Sequence, residues 1–422
     1  MKKFLAFVPA AALRILIAVL IGVILITAVY CIPDDLIRDN ITSSAELVYN
    51  EGPYPNAYKW CMSELDNFTD GIMLSEACCE TEGTALQRAM KSDRYMLYNG
   101  WAGIFFYLGI SPIQSFDSYA RYWHGYLTTL KPLLIITDYS GIRTINLIVQ
   151  TILVAAVCYF MHKKGLKKYI APYILSICII APLVIAKSLQ MSTCYYVFNG
   201  GCLGVLLMKD RADFRKYMLV FLWIGIITAY LDFLTYPIAT FGMPAVFFLI
   251  STDSEDTKKT LLMLLNLLFC WGAGYAVMWA SKWILADVIL GTNVIANAAN
   301  EAGIWVDEAK EYYTLWYTIY RNLRSFALNP AMVIALGFAV FLAVKLLKKS
   351  GLKELAGKEK LLKLLPFAAV AILPFIWYSA MIAHSYVHDF FTSKALVTTA
   401  FALLCLLVKN CSAEKEIYES DN

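Results

Sequence analysis

FVPAAALRILIAVLIGVILITAVYCI, residues 7–32, carries a single charge, Arg14, in an otherwise apolar run. Crossing the hydrocarbon core takes about 20 apolar residues, whereas the apolar core of a secretory signal runs to roughly 7–15. Met1-Lys2-Lys3 precedes the run and no clean small-x-small cleavage site follows it. The stretch therefore reads as an uncleaved first membrane span.

The rest of the chain extends that reading. The chain has 422 residues, 59% hydrophobic and 16% charged, with a mean hydropathy of +0.59. Soluble domains sit at roughly 45–50% apolar and about 25% charged. The excess apolar content needs a lipid phase, and a net charge of +4 gives no footprint for nucleic acid. With a first run at 10–32, further apolar runs lie at 142–161, 169–187, 194–208, 217–234, 237–251, 260–282, 330–347, 363–382 and 394–409. They predict an all-α, polytopic bundle of about ten transmembrane helices. Runs 194–208 and 237–251 are short enough to be tilted, broken or re-entrant.

Charge position gives the orientation. Alternate connectors are basic: His162 to Lys168, Lys209 to Lys216, Lys258-Lys259, and Lys345 through Lys363. The intervening ones, around 188–193 and 237–242, carry almost no Lys or Arg. Basic loops stay cytoplasmic, so both termini are expected inside, in a multi-pass plasma-membrane protein. The layout becomes a first span (1–32), an outer segment (33–140), a central bundle (141–285), a second outer segment (286–329), C-terminal spans (330–410) and a cytoplasmic tail (411–422). Amphipathic stretches at 98–109, 119–136 and 312–326 read as juxtamembrane helices on the outer side. Most of the 11 Cys fall in apolar runs as small hydrophobes. Cys61, Cys78 and Cys79 fall in the outer segment, where a Cys61–Cys78 or Cys61–Cys79 disulfide is open.

Four clusters on the expected outer side could carry chemistry. Residues 63–74 read as a helix on which Asp66 and Asp70, four apart, share a face. Asp34 and Asp35 directly follow the first span. A carboxylate here can take a proton from a hydroxyl, or hold a divalent cation beside a phosphate; the plain alternative is a solvated face. Arg121-Tyr122-Trp123-His124 offers a guanidinium and an imidazole for a phosphate and Trp123 for a sugar face, or else a lipid-headgroup anchor. His384 and His388, four apart, with Lys394 beyond, suit an anion better than a metal, because no third ligand or HExxH pattern accompanies them. Asp232, at the end of a span, is a functional candidate by position alone. Three of the four His fall in these clusters; His162 lies in a basic loop.

This arrangement resembles the GT-C type glycosyltransferases, polytopic enzymes that use polyprenyl-phosphate sugar donors outside the membrane. The resemblance rests on Leu65-Asp66-Asn67-Phe68-Thr69-Asp70, on Arg121 to Gly125, and on His384-Ser385-Tyr386-Val387-His388. It covers most of the chain in layout, but no acidic pair of the family's best-defined kind appears beyond Asp34-Asp35. The resemblance implies an acidic base, Asp66 or Asp70, with Arg121, His124, His384, His388 and Lys394 neutralising the donor phosphate. The implied product is a modified cell-surface glycan or glycolipid. No cofactor is assigned, and room is left for a divalent cation. Two other classes compete: a lipid-linked substrate transporter or flippase, with a midplane site near Asn199-Gly200-Gly201 and 232–237, and a membrane scaffold without catalysis.

Overall fold

A computed structural model describes residues 7–420 apart from 60–61, 97–100, 111–114, 209–212, 253–255 and 356–357. The described chain is 80% helical and all-α. Its one small sheet is an antiparallel ribbon, β1 (Asp93–Met96) against β2 (Ser115–Ser118), which sets Arg94 opposite Asp117.

The helices in chain order are α1 (Phe7–Val29), α2 (Arg38–Glu51), α3 (Asn67–Ala77), α4 (Ala85–Lys91), α5 (Leu127–Ile136), α6 (Tyr139–Lys163) and α7 (Ile170–Ile179). Then come α8 (Leu189–Leu207), α9 (Phe214–Leu231), α10 (Ile238–Thr252), α11 (Thr257–Leu290), α12 (Val294–Tyr312) and α13 (Leu315–Ala327). The chain continues through α14 (Ala331–Leu355), α15 (Lys358–Ala371), α16 (Leu373–Ala380), α17 (Ile382–Val387) and α18 (Val397–Ser420).

Among the described residues six helical segments are long and apolar enough to cross a membrane: α1, α6, α9, α11, the first part of α14, and Asp389–Cys411. A seventh is the α15–α16 pair, bent by 41° where Pro374 prevents a continuous ladder. This is consistent with a multi-pass membrane protein. It is fewer than the ten runs counted in the sequence, and three runs make the difference. Run 169–187 is interrupted: α7 stops at Ile179, Ala181 turns at φ 54° and Pro182 begins a separate short helix. Run 194–208 belongs to α8, whose Gln190, Ser192, Thr193 and Asn199 dilute its hydropathy and are buried. Run 237–251 is α10, buried from Ile238 through Ser251. These segments face protein. By contrast α1 exposes Leu13, Leu16, Leu20 and Ile24, and α14 exposes Val333, Leu336, Val340 and Phe341. Such belts need lipid to cover them.

Helices α9 and α11 pack most closely. A Cβ on Gly225 would lie 2.0 Å from the Trp271 carbonyl oxygen, and one on Gly274 2.3 Å from that of Leu222. Glycine at both places lets the backbones approach.

The long segment after α1 has its own core, in which Ile37, just before α2, and Ile41 and Val48 of α2 pack with Met73 and Leu74 of α3 and with Leu130 and Leu134 of α5. Its local structure departs from the expected helices. Helix α3 begins at Asn67, not at residue 63. Residues 101–108 form a 3-10 helix, and only Leu127–Ile136 of the stretch 119–136 is α-helical. Helix α13, expected at 312–326, is built inside out. It exposes Trp316, Tyr320 and Leu323 and buries Thr318, Asn322 and Ser325. Asn322 donates to the Ser385 carbonyl at 2.7 Å, and Arg321 and Ser325 grip Asp389 at 2.7 and 2.5 Å. The exposed aromatics suit a membrane interface, while the buried polar face holds the segment bearing His384 and His388.

Candidate functional site

A cavity of about 1250 Å³ has walls drawn from both long connecting segments, from α11, and from the turn after α16. One wall is an aromatic ladder. Trp271, Tyr275, Trp279 and Trp283 recur every four residues on α11, with successive ring centroids 5.4, 5.7 and 5.5 Å apart. The last three line the cavity. Tyr122 stacks on Trp279 at 5.5 Å and 25°. The indole N–H groups of Trp279 and Trp283 both donate to the Arg121 carbonyl, at 2.6 and 2.8 Å.

Arg121 is thereby fixed in the wall. Its guanidinium lies 5.2 Å from the Tyr119 ring centre, and that of Arg94 lies 4.3 Å from the same ring. Arg94 is held by Asp117 through the ribbon register, with hydrogen bonds of 3.1 and 2.7 Å. Arg121 donates to Asn297 at 2.7 Å and pairs with Glu301 at 3.4 Å. Two guanidiniums against one aromatic ring, each with a planar fork of donors, offer an anion-binding corner.

His384 and His388 line the same cavity, with ring centroids 5.0 Å apart. His388 stacks on Phe391 at 4.9 Å. Burial, and for His384 the neighbouring His388, lowers their pKa values to about 3 and about 4. Buried in this way, the rings favour the neutral form and offer hydrogen bonds to the cavity. Two residues of the lining each carry a buried polar atom without a hydrogen-bond partner, Gln190 Oε1 and Trp377 Nε1.

The acidic pair lies behind this surface. Asp66 caps α3, accepting from Thr69 N at 3.0 Å and Thr69 Oγ1 at 2.8 Å. Thr69 itself lines the cavity. Burial, with the nearby Asp70 charge, pushes the Asp66 carboxyl up to about 7. Asp70 lies deeper. Its carboxylate receives Leu189 N at 3.1 Å, Gln190 N at 3.0 Å, Ser188 Oγ at 3.3 Å and the Tyr139 hydroxyl. Burial raises it to about 6 against these donors.

The other sequence candidates do not line the cavity. Trp123 is fully buried with its indole N–H on the Met278 carbonyl at 2.6 Å. His124 sits at φ 54°, between Glu76 at 2.8 Å and the Tyr119 carbonyl at 2.8 Å, so it braces the wall from behind. Asp34 pairs with buried Lys131 at 2.5 Å, and Asp35 with exposed Arg38 at 2.8 Å. Asp232 ends α9 and accepts from Thr235 N and Thr193 Oγ1, both at 3.0 Å; burial raises its pKa. Lys394 is buried in the turn before α18. Cys61 lies outside the described residues, and Cys78 and Cys79 are buried thiols. Among the described residues no group of three or more His, Cys, Asp or Glu is placed to hold a metal ion.

Sequence reading thus finds Arg121, His384 and His388 together, and overlooks Arg94, Glu301, Gln190 and the α11 ladder. The ladder had a legible signal in its four-residue aromatic spacing. Arg94 and Glu301 had none, because they arrive from remote segments. No family model, curated protein or solved structure matches this chain.

Proposed function

We propose that this chain is a membrane glycosyltransferase of GT-C type that moves a sugar from a polyprenyl phosphate to a cell-surface glycan or glycolipid. The observation that carries the reading is the make-up of one cavity. It sets an anion-binding corner, Arg94 and Arg121 on Tyr119, against stacked aromatics that suit sugar faces and neutral polar groups that suit hydroxyls.

In this reading the donor phosphate lies at the Arg corner. An acceptor hydroxyl attacks the anomeric carbon, the bond from that carbon to the phosphate oxygen breaks, and the electron pair leaves on the phosphate. The guanidiniums stabilise the charge that develops there. Asp66 receives the hydroxyl proton through the Thr69 hydroxyl, which donates to Asp66 and lines the cavity. Asp70 positions the N-terminus of α8. In this reading the cavity opens outside the plasma membrane and the termini lie in the cytoplasm, the sidedness that basic connectors favour. The three shorter runs, 169–187, 194–208 and 237–251, in this reading also cross within the bundle.

The test is glycan analysis in cells deleted for the gene and complemented with wild type, Arg121→Gln or Asp66→Asn. Loss of one sugar from a surface polymer, with accumulation of its polyprenyl-phosphate precursor, is the expected result for the deletion and for Arg121→Gln. An unchanged glycan and lipid pool in the deletion strain overturns the proposal.

A further inference from the structure

Among the described residues that line the cavity, Glu301 is the only carboxylate, and it faces Arg121. One nitrogen of that guanidinium, Nη1, donates to Asn297 at 2.7 Å and pairs with Glu301 at 3.4 Å. Asn297 and Glu301 are four apart on α12, so one face of the helix presents both. An acid of the chain itself thus stands where a ligand's anion would meet Arg121. Its hold is weak. The two side chains are 22% and 38% exposed, and an exposed pair of this kind shifts an equilibrium by a factor of about five at most. Arg94 differs, because two of its nitrogens lie 3.1 and 2.7 Å from one Asp117 oxygen, in a register fixed by the β1–β2 ribbon. Of the two guanidiniums, Arg121 is the easier for a ligand to take.

Helix α12 is lightly held elsewhere. It packs on α11 and on α17, both of which contribute to the lining. From Ile295 through Glu301 none of its residues is buried. It leaves α11 through Gly291, at φ 66°, where a Cβ would meet nothing within 4 Å. Elements with few buried contacts open locally at low cost. We propose that α12 is a strap latched on the cavity by Glu301 at Arg121, and that a phosphate group taking Arg121 displaces Glu301 and frees the strap. A phosphate offers up to two charges and a forked set of acceptors, and guanidinium–phosphate hydrogen bonds are among the strong ones. It outweighs one carboxylate at 3.4 Å. The inference rests on the transferase reading only in identifying this phosphate with that of the donor.

Equilibrium binding and hydrogen exchange of the full chain in lipid nanodiscs test it, with inorganic phosphate and farnesyl phosphate as probes. Each probe is expected to bind saturably and to speed exchange of the α12 amides severalfold. Glu301→Gln is expected to bind both about three- to fivefold more tightly, with α12 amides that exchange fast before any ligand is added. Glu301→Ala takes its place if Glu301→Gln fails to fold. Glu46→Gln, at an exposed acid outside the lining, controls for the change in net charge and leaves both readouts as in wild type. Any of three results overturns the latch: an affinity that Glu301→Gln leaves unchanged or weakens, α12 exchange that ligand does not speed, or no saturable binding of either probe. Inorganic phosphate that binds and speeds α12 exchange, while farnesyl phosphate does not bind, keeps the latch and overturns the polyprenyl-phosphate donor. A surface glycan lost in the deletion strain, beside a Glu301→Gln protein that binds like wild type, keeps the transferase reading and overturns the latch.

Discussion

The Asp70 carboxylate accepts the backbone N–H of Gln190 at 3.0 Å, so an acid of one helix closes the first turn of another beside the cavity. Leu189 N, Ser188 Oγ and the Tyr139 hydroxyl complete its shell. Negative charge at a helix N-terminus is favourable, and here it ties α3 to α6 and α8. Asp70→Ala strands several buried donors at once. It should destabilise the protein by about 3 kcal/mol or more. A clear fall in the thermal midpoint, alongside any loss of activity, marks Asp70 as a positioning residue. An unchanged midpoint contradicts that role.

Asp66 should separate its two duties by substitution. Its carboxyl is raised to about 7 by burial, above its unfolded value near 3.8. The folded state therefore holds a proton between about pH 4 and 7 that the unfolded state has lost, and stability falls as pH rises through that window. Asp66→Asn keeps a capping oxygen and removes the ionisation. The variant should match wild type only below about pH 4 and exceed it in thermal midpoint by a growing margin up to pH 8. Asp66→Ala also loses the cap and should lie about 1 kcal/mol below Asp66→Asn at either pH. If Asp66 takes the acceptor proton, Asp66→Asn transfers no sugar although it is well folded.

The histidines have the opposite sign. His384 and His388 are depressed to about 3 and about 4, below the unfolded value of 6.5. As pH falls from about 6.5 towards 4 the unfolded chain takes up protons that the folded chain refuses, so stability drops. The groups facing them are Asp389, which favours protonation of His388, and Arg321, which neutralises Asp389 at 2.7 Å. Replacing both His with Gln should flatten the acid limb of thermal midpoint against pH. An unaltered limb assigns it to other groups.

What was legible in the sequence follows from how local each signal is. Helix α1 was readable because one uninterrupted run decides it. The burial of α10 was not, because a helix apolar on all sides looks the same against lipid or protein. The spacing of His384 and His388 correctly brought their rings together, but their neutrality depends on packing from α13 and Phe391. The spacing of Asp66 and Asp70 suggested one shared face. The structure instead gives Asp66 to the cap of its own helix and Asp70 to the cap of α8, more than a hundred residues away in sequence. Arg94 meets Arg121 only because the β1–β2 ribbon and the turn after it fold onto one Tyr119 ring.

Gly125 offers a test of how the wall is held. Its N–H donates to the Tyr230 carbonyl at 2.8 Å, joining the turn that carries Arg121 to the end of α9. A Cβ at this position would lie 2.3 Å from Tyr230 ring carbons and 2.5 Å from that carbonyl oxygen. Neither the ring, packed against Trp123 at 5.7 Å, nor the backbone has room to yield. Gly125→Ala should therefore cost about 3 kcal/mol, at the upper end of overpacking penalties, and should loosen sugar binding by tilting the Tyr119–Tyr122 wall. Gly200→Ala is the matched control. It sits on an exposed face of α8 with nothing within 4 Å of a new Cβ, so it should be neutral or stabilise by about 0.5 kcal/mol. Thermal midpoints of the two variants, measured side by side in nanodiscs, decide it. Equal midpoints would show that the turn is not clamped to α9.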